Sequence, residues 1–232
     1  MHLHASTHDH RTTAAAPRRR SRHLLRLLAV LAALVATAAP AFARAPLPPI
    51  EGYAQYQPQT RCSPKPKPGA VYLMQYLDRR FPGTPGGISR ACDVGGRSEH
   101  KEGRALDWMV SARTHAGRVA ARELLDWLFA TDGHGEQDAR ARRLGVMYVI
   151  WNDRIYSSYD GFRPQPYLNA GCKQLKGCSP TLRHRDHVHI SLDVAGGMGR
   201  TSWFVGRLTD AVGGVVGGVG GAVGGIGGAA IG

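Results

Sequence analysis

An α+β domain, a small antiparallel sheet with helices on one face, is what this sequence predicts, and three observations carry it. Residues 104–110, 146–151 and 184–192 alternate or run apolar in the manner of half-buried and buried strands. Residues 115–130 instead set Val119, Leu124, Leu125, Trp127 and Leu128 at helical spacing. Strands and helices fall in separate runs, which favours α+β over a wound parallel sheet.

Before any of these elements, the first 43 residues read as a secretory signal peptide. Arg18, Arg19, Arg20, Arg22 and Arg26 make the positive region, residues 24–39 the apolar region, and Ala41-Phe42-Ala43 a small-residue cleavage site. An apolar run of roughly 16 residues ending at Pro40 is short for a membrane span, so cleavage after Ala43 is expected. The whole chain carries a net charge of +13. The leader holds six Lys and Arg and one Asp, so an exported chain would keep +8. With export and without aromatic residues interleaved among the basic ones, a polyanionic envelope is a better partner for this charge than nucleic acid.

Residues 44–69 are rich in Pro and Gln and predict a stiff, extended linker. From Ala70, Val71, Leu73, Met74 and Leu77 take up helical spacing and stop before Phe81-Pro82-Gly83. The roughly 135 residues from there to Val205 are enough for one core. After the helix over 115–130, a shorter charged helix covers 137–144 and ends at Gly145. Asn152-Asp153 then looks like the turn between strand 146–151 and a strand starting at Arg154. Residues 163–178 have little periodicity and read as a loop. About four strands are expected in all. Residues 206–232 form a Gly-rich, low-complexity tail; half of residues 211–232 are Gly, which weakens both helix and membrane insertion. No stable membrane span is therefore expected in the mature chain, and the sequence leaves its oligomeric state open.

Cys62, Cys92, Cys172 and Cys178 all follow the leader, and an even count in an exported chain argues for two disulfides. Of the three possible pairings, Cys62–Cys92 with Cys172–Cys178 is preferred, because the second pair brackets a short loop. A zinc site made of cysteines has no Cys-x-x-Cys to support it.

The chemistry concentrates in two stretches. In the first, His100 and Asp107 stand seven residues apart across Gly103. If residues 104–110 are a strand, Ala105, Asp107 and Met109 share a face, and a turn at Gly103 can lay His100 over it. In the second, a strand period of two points His187 and His189 one way and Val188 and Ile190 the other. Three of the six histidines that follow the leader lie between Leu182 and Ile190. Isolated histidines are commonly surface or hydrogen-bonded groups; two such stretches on hydrophobic strands are not so readily dismissed. Two imidazoles and a carboxylate suit Zn²⁺ and leave a fourth position for water.

Ser98-x-His100-x-x-Gly103-x-Ala105-x-Asp107 with Asp186-x-x-His189 resembles the signature of a zinc peptidase superfamily. Its members include D-Ala-D-Ala carboxypeptidases and dipeptidases, murein endopeptidases and the hedgehog signalling domain. The resemblance implies zinc bound by His100, Asp107 and His189, with Asp186 as general base and His187 and His184 in the cleft steadying the transition state. It also implies peptidoglycan stem peptides or cross-links as substrates. The family's substrate-carboxylate arginine sits on a longer upstream segment; here Arg90 and Arg97 are the nearby cations. Trp151, Tyr156, Tyr159 and Tyr167 are candidates for cleft walls, Trp151 equally for the core. Two other classes remain open: a zinc-containing wall-binding or signalling module without catalysis, and a basic adhesin acting through its linker and tail.

Overall fold

The computed structural model describes residues 49–205 and Arg207; the expected leader and nearly all of the Gly-rich tail lie outside these. The fold is α+β. Six strands form one antiparallel sheet: β1 (Thr84–Gly87), β2 (Ala105–Met109), β3 (Val146–Trp151), β4 (Arg154–Ser157), β5 (Pro164–Pro166) and β6 (His187–Leu192), in spatial order β1-β2-β6-β3-β4-β5. The last strand in sequence thus lies between β2 and β3, in the middle of the sheet.

Alternation along these strands separates a dry face from one that carries the histidines. Val188, Ile190 and Leu192 of β6 are fully buried with Leu106, Trp108 and Val149 in the main core, whereas His187, His189 and Ser191 take the other face. Each fully buried Leu or Ile contributes about 1.5–3 kcal/mol, so this parity fixes the register firmly. Leu73 and Leu77 of α1 (Pro68–Arg80), Leu124 and Leu128 of α2 (His115–Phe129), and Leu144 of α3 (Ala139–Leu144) complete the same core. The short α4 (Val194–Gly197) follows β6.

Local chemistry accounts for the boundaries. Pro68 opens α1, where a missing N–H costs nothing, and Thr114 caps α2 by accepting from the Gly117 N–H. Gly145 ends α3 at φ 69° and returns its N–H to Ala141 and Arg142; a Cβ there would lie 2.9 Å from Gly196 Cα. Asn152 and Asp153 both adopt positive φ, 47° and 63°, the turn that matches the twist of the β3–β4 hairpin.

The sequence led to about four strands; the structure adds two at the edges. β1 is Thr-Pro-Gly-Gly and β5 is Pro-Gln-Pro, compositions that carry no strand signal yet are tolerated where one side of the ladder is unpaired. The stretch read as a loop from Arg163 therefore begins with a strand. Residues 49–67 are extended, as their prolines imply, and are bound along the domain. Ser63 donates to the Lys101 carbonyl at 2.7 Å and Lys67 to that of Gly103 at 2.8 Å. Cys62 is disulfide-bonded to Cys92, and Cys172 to Cys178, the preferred pairing.

Candidate metal centre

The site begins with a turn. Ser98 accepts from the His100 N–H and opens a single 3₁₀ turn over Glu99–Glu102, which Gly103 closes at φ 67°. A Cβ on Gly103 would meet the Lys65 carbonyl oxygen at 2.1 Å, so both the dihedral and the space demand glycine. The chain leaves this turn directly into β2, and His100 falls over the face that carries Asp107. Across the ladder, Asp107 pairs in register with His189.

Three atoms meet there. His100 Nε2 lies 3.2 Å from Asp107 Oδ1 and 3.1 Å from His189 Nδ1, and that Nδ1 lies 2.9 Å from Asp107 Oδ1. The outward hydrogen bonds decide where the protons are. His100 Nδ1 faces the Ile88 carbonyl at 2.9 Å and must donate to it. His189 Nε2 lies 2.9 Å from Ser191 Oγ, whose hydroxyl donates onward to Glu99. Burial pushes the His189 imidazole below its ordinary value, against the opposing pull of Asp107. Two ring nitrogens and a carboxylate oxygen therefore converge within 3.2 Å of one another, a set of ligand atoms that suits a cation. His100, Asp107 and His189 form the group that can hold a metal ion among the described residues.

His187 stands beside this group. Its Nε2 is 3.5 Å from Asp107 Oδ1, and its Nδ1 is 2.7 Å from Asp186 Oδ1, while Asp186 Oδ2 accepts from Thr181 Oγ1 at 2.5 Å. Both Asp186 oxygens are thus engaged, Oδ1 with His187 and Oδ2 with Thr181. His184, next to His187 at 4.8 Å between ring centroids, has φ 49° and a buried Nδ1 without a partner, backbone and side-chain strain of the kind found at functional sites. Burial, reinforced by His189 and His187, pushes its imidazole down to about 3, so it is neutral.

A cleft of about 190 Å³ opens over these groups, with Arg90, Arg97, Tyr148, Tyr167 and Asn169 among its walls. Trp151 is corrected: it is 7% exposed and packed in the core, because strand parity turns Ile150 to the cleft and Trp151 away. Tyr156 lies on that same far side, and the exposed Tyr159 does not line the cleft. Sequence reasoning missed Glu99, Ser191 and Tyr148. Glu99 is 3% exposed and accepts from the Tyr148 hydroxyl and from Ser191, thereby backing His189. The period of two in β6 extended to Ser191 was the available signal.

Similarity to known proteins is confined to one comparison. A family model described as VldE, C-terminal domain, matches residues 62–174, just under half of the chain. That span runs from Cys62 through His100 and Asp107 to β5 and stops before His189, so it covers two of the three converging residues. No curated protein and no solved structure matches the chain. Among the described residues, no helix is long and apolar enough to cross a membrane.

Proposed function

We propose that the chain is an exported zinc-dependent peptidase that hydrolyses peptide bonds of peptidoglycan stem peptides or cross-links. The observation that carries this reading is the close triangle of His100, Asp107 and His189 with the His187–Asp186 pair beside it in an open cleft. The substrate class rests on the resemblance of the two motifs, and export on the leader, with two disulfides in keeping.

Zinc held by those three residues would supply Lewis-acid activation of a carbonyl and of a water. The remaining steps belong to side chains. His187 takes a proton at Nε2, and Asp186 holds its Nδ1–H and balances the imidazolium that forms. This moves the base from Asp186 to His187 and leaves Asp186 as the group that positions it. Tyr148 is no acid here, since burial and the adjoining Glu99 push its hydroxyl well above the ordinary value. Arg90 and Arg97 offer guanidinium groups to a substrate carboxylate.

Incubating the purified full chain with peptidoglycan fragments, with and without chelator, tests the proposal. Soluble peptides should appear, vanish on chelation and return with added Zn²⁺, and metal analysis should find one zinc per chain that His100→Ala and Asp107→Ala both lose. Retention of zinc by both variants would break the ligand assignment. A zinc-loaded chain that binds wall fragments yet cleaves none would be a binding module.

A further inference from the structure

Given the proposed role of the His187–Asp186 pair, on which this reading rests, we infer that Thr181 is a positioning residue for proton transfer: its hydroxyl fixes the carboxylate that holds His187.

That carboxylate needs holding. The Asp186 side chain is 37% exposed, whereas that of His187 is 7% exposed. Water therefore competes for the carboxylate, and its terminal torsion has only a broad preference of its own, so a group left to itself would turn on the ring it orients. Two bonds, one to each oxygen, prevent this. His187 Nδ1 lies 2.7 Å from Oδ1, where a carboxylate can only accept, and Thr181 Oγ1 donates to Oδ2 at 2.5 Å. With both oxygens engaged, the plane of the group is set as well as its position.

A hydroxyl can do this only from a fixed backbone, and that of Thr181 is tied from two sides. Within residues 179–185, Arg183 donates its N–H to the Ser179 carbonyl at 3.1 Å, His184 to that of Thr181 at 3.0 Å and Arg185 to that of Pro180 at 2.9 Å. The β3–β4 turn then clamps the same segment. Asn152 donates to the His184 carbonyl at 2.7 Å and Asp153 to that of Arg183 at 3.1 Å, while the Arg183 guanidinium forks onto the Asp153 carboxylate at 2.8 and 2.7 Å. β-Branching restricts χ1 of Thr181, so a hydroxyl aimed at Asp186 stays aimed. Thr181 lines the same cleft as His184 and His187, but its one hydroxyl hydrogen is committed to Asp186. It therefore acts through that residue and not on the substrate.

Thr181→Val keeps the size and removes the hydroxyl; Thr181→Ser keeps the hydroxyl. On peptidoglycan fragments, Thr181→Val should lower kcat roughly tenfold or more with KM unchanged, as for the loss of one hydrogen bond to a charged group, and Thr181→Ser should restore it. In an Asp186→Ala background, Thr181→Val should cause no further loss. A second readout needs no turnover: in the metal-free full chain, followed by NMR, the His187 Nδ1 proton should be protected from solvent exchange in wild type and Thr181→Ser and exchange faster in Thr181→Val. A raised KM with kcat intact would make Thr181 a substrate contact, and Thr181→Ser as slow as Thr181→Val would make its role one of packing. Either result overturns the inference, as does a His187 proton that exchanges alike in all three chains. A wild-type chain that cleaves no wall peptide would remove the proposed peptidase reaction, and the exchange rates would still decide whether Thr181 holds the pair.

Discussion

A histidine whose far nitrogen is held by a carboxylate is oriented by it, and in the proposed mechanism that is what Asp186 does for His187. Asp186→Asn preserves the shape and the acceptor but removes the anion. Zinc content and KM should persist while kcat falls by roughly 10²–10⁴, the range associated with losing proton transfer. Unchanged kcat would remove the pair from the mechanism. Glu99 acts one step further out, through Ser191 to His189 Nε2. Glu99→Gln should weaken zinc binding about 10–100-fold in a competitive chelation titration, with activity restored at saturating metal. The converging residues were legible because ligand type and spacing are local properties. Glu99 was not, since a glutamate before a histidine looks solvated until the fold buries it.

The 3₁₀ turn that presents His100 is anchored from behind by Glu102, which receives the Thr60 and Arg61 N–H groups at 3.0 and 3.2 Å and the Arg104 guanidinium at 2.8 Å. Burial alone would raise its carboxyl, but these donors together outweigh burial and hold it below its usual value. A depressed carboxyl adds stability above its unfolded value and loses it as pH falls through the folded one. Thermal melts of Glu102→Gln should therefore show a Tm several degrees lower at neutral pH, for a loss of about 1–3 kcal/mol, and a shallower decline toward acid than wild type. Parallel melting curves across pH would show that Glu102 contributes no titrating charge to stability. Elements with strong periodicity, β2, β3, α1 and α2, could be read from the chain within a residue or two, and β6 within three. β1 and β5 could not, because Gly-Gly and Pro-Gln-Pro are strands only by virtue of the neighbour that pairs with them.

For the whole molecule, two disulfides close a chain whose functional face has little apolar packing of its own. Cys62–Cys92 spans a separation of 30 residues and, with Lys101 donating from Nζ to the Cys92 and Gly95 carbonyls at 2.9 Å each, fastens the loop that carries Arg90 and Arg97. Denatured, unreduced protein should show no free thiols, and Cys62→Ser with Cys92→Ser should cost about 3 kcal/mol by denaturant unfolding in the chain-entropy view. A 62–172 or 62–178 linked peptide on mapping would contradict this arrangement.

The central place of β6 has a temporal meaning as well. A chain delivered from its N-terminus has β2 and β3 in hand long before the strand that must lie between them, and neither can pair with the other in its stead. His100 waits for a partner 89 residues further on. Core closure and assembly of the metal ligands therefore become one late event, governed by contacts of long sequence separation and correspondingly slow. A partly delivered chain has exposed strand edges but no complete His100–Asp107–His189 cluster, so under the proposed function it would be inactive until β6 docks.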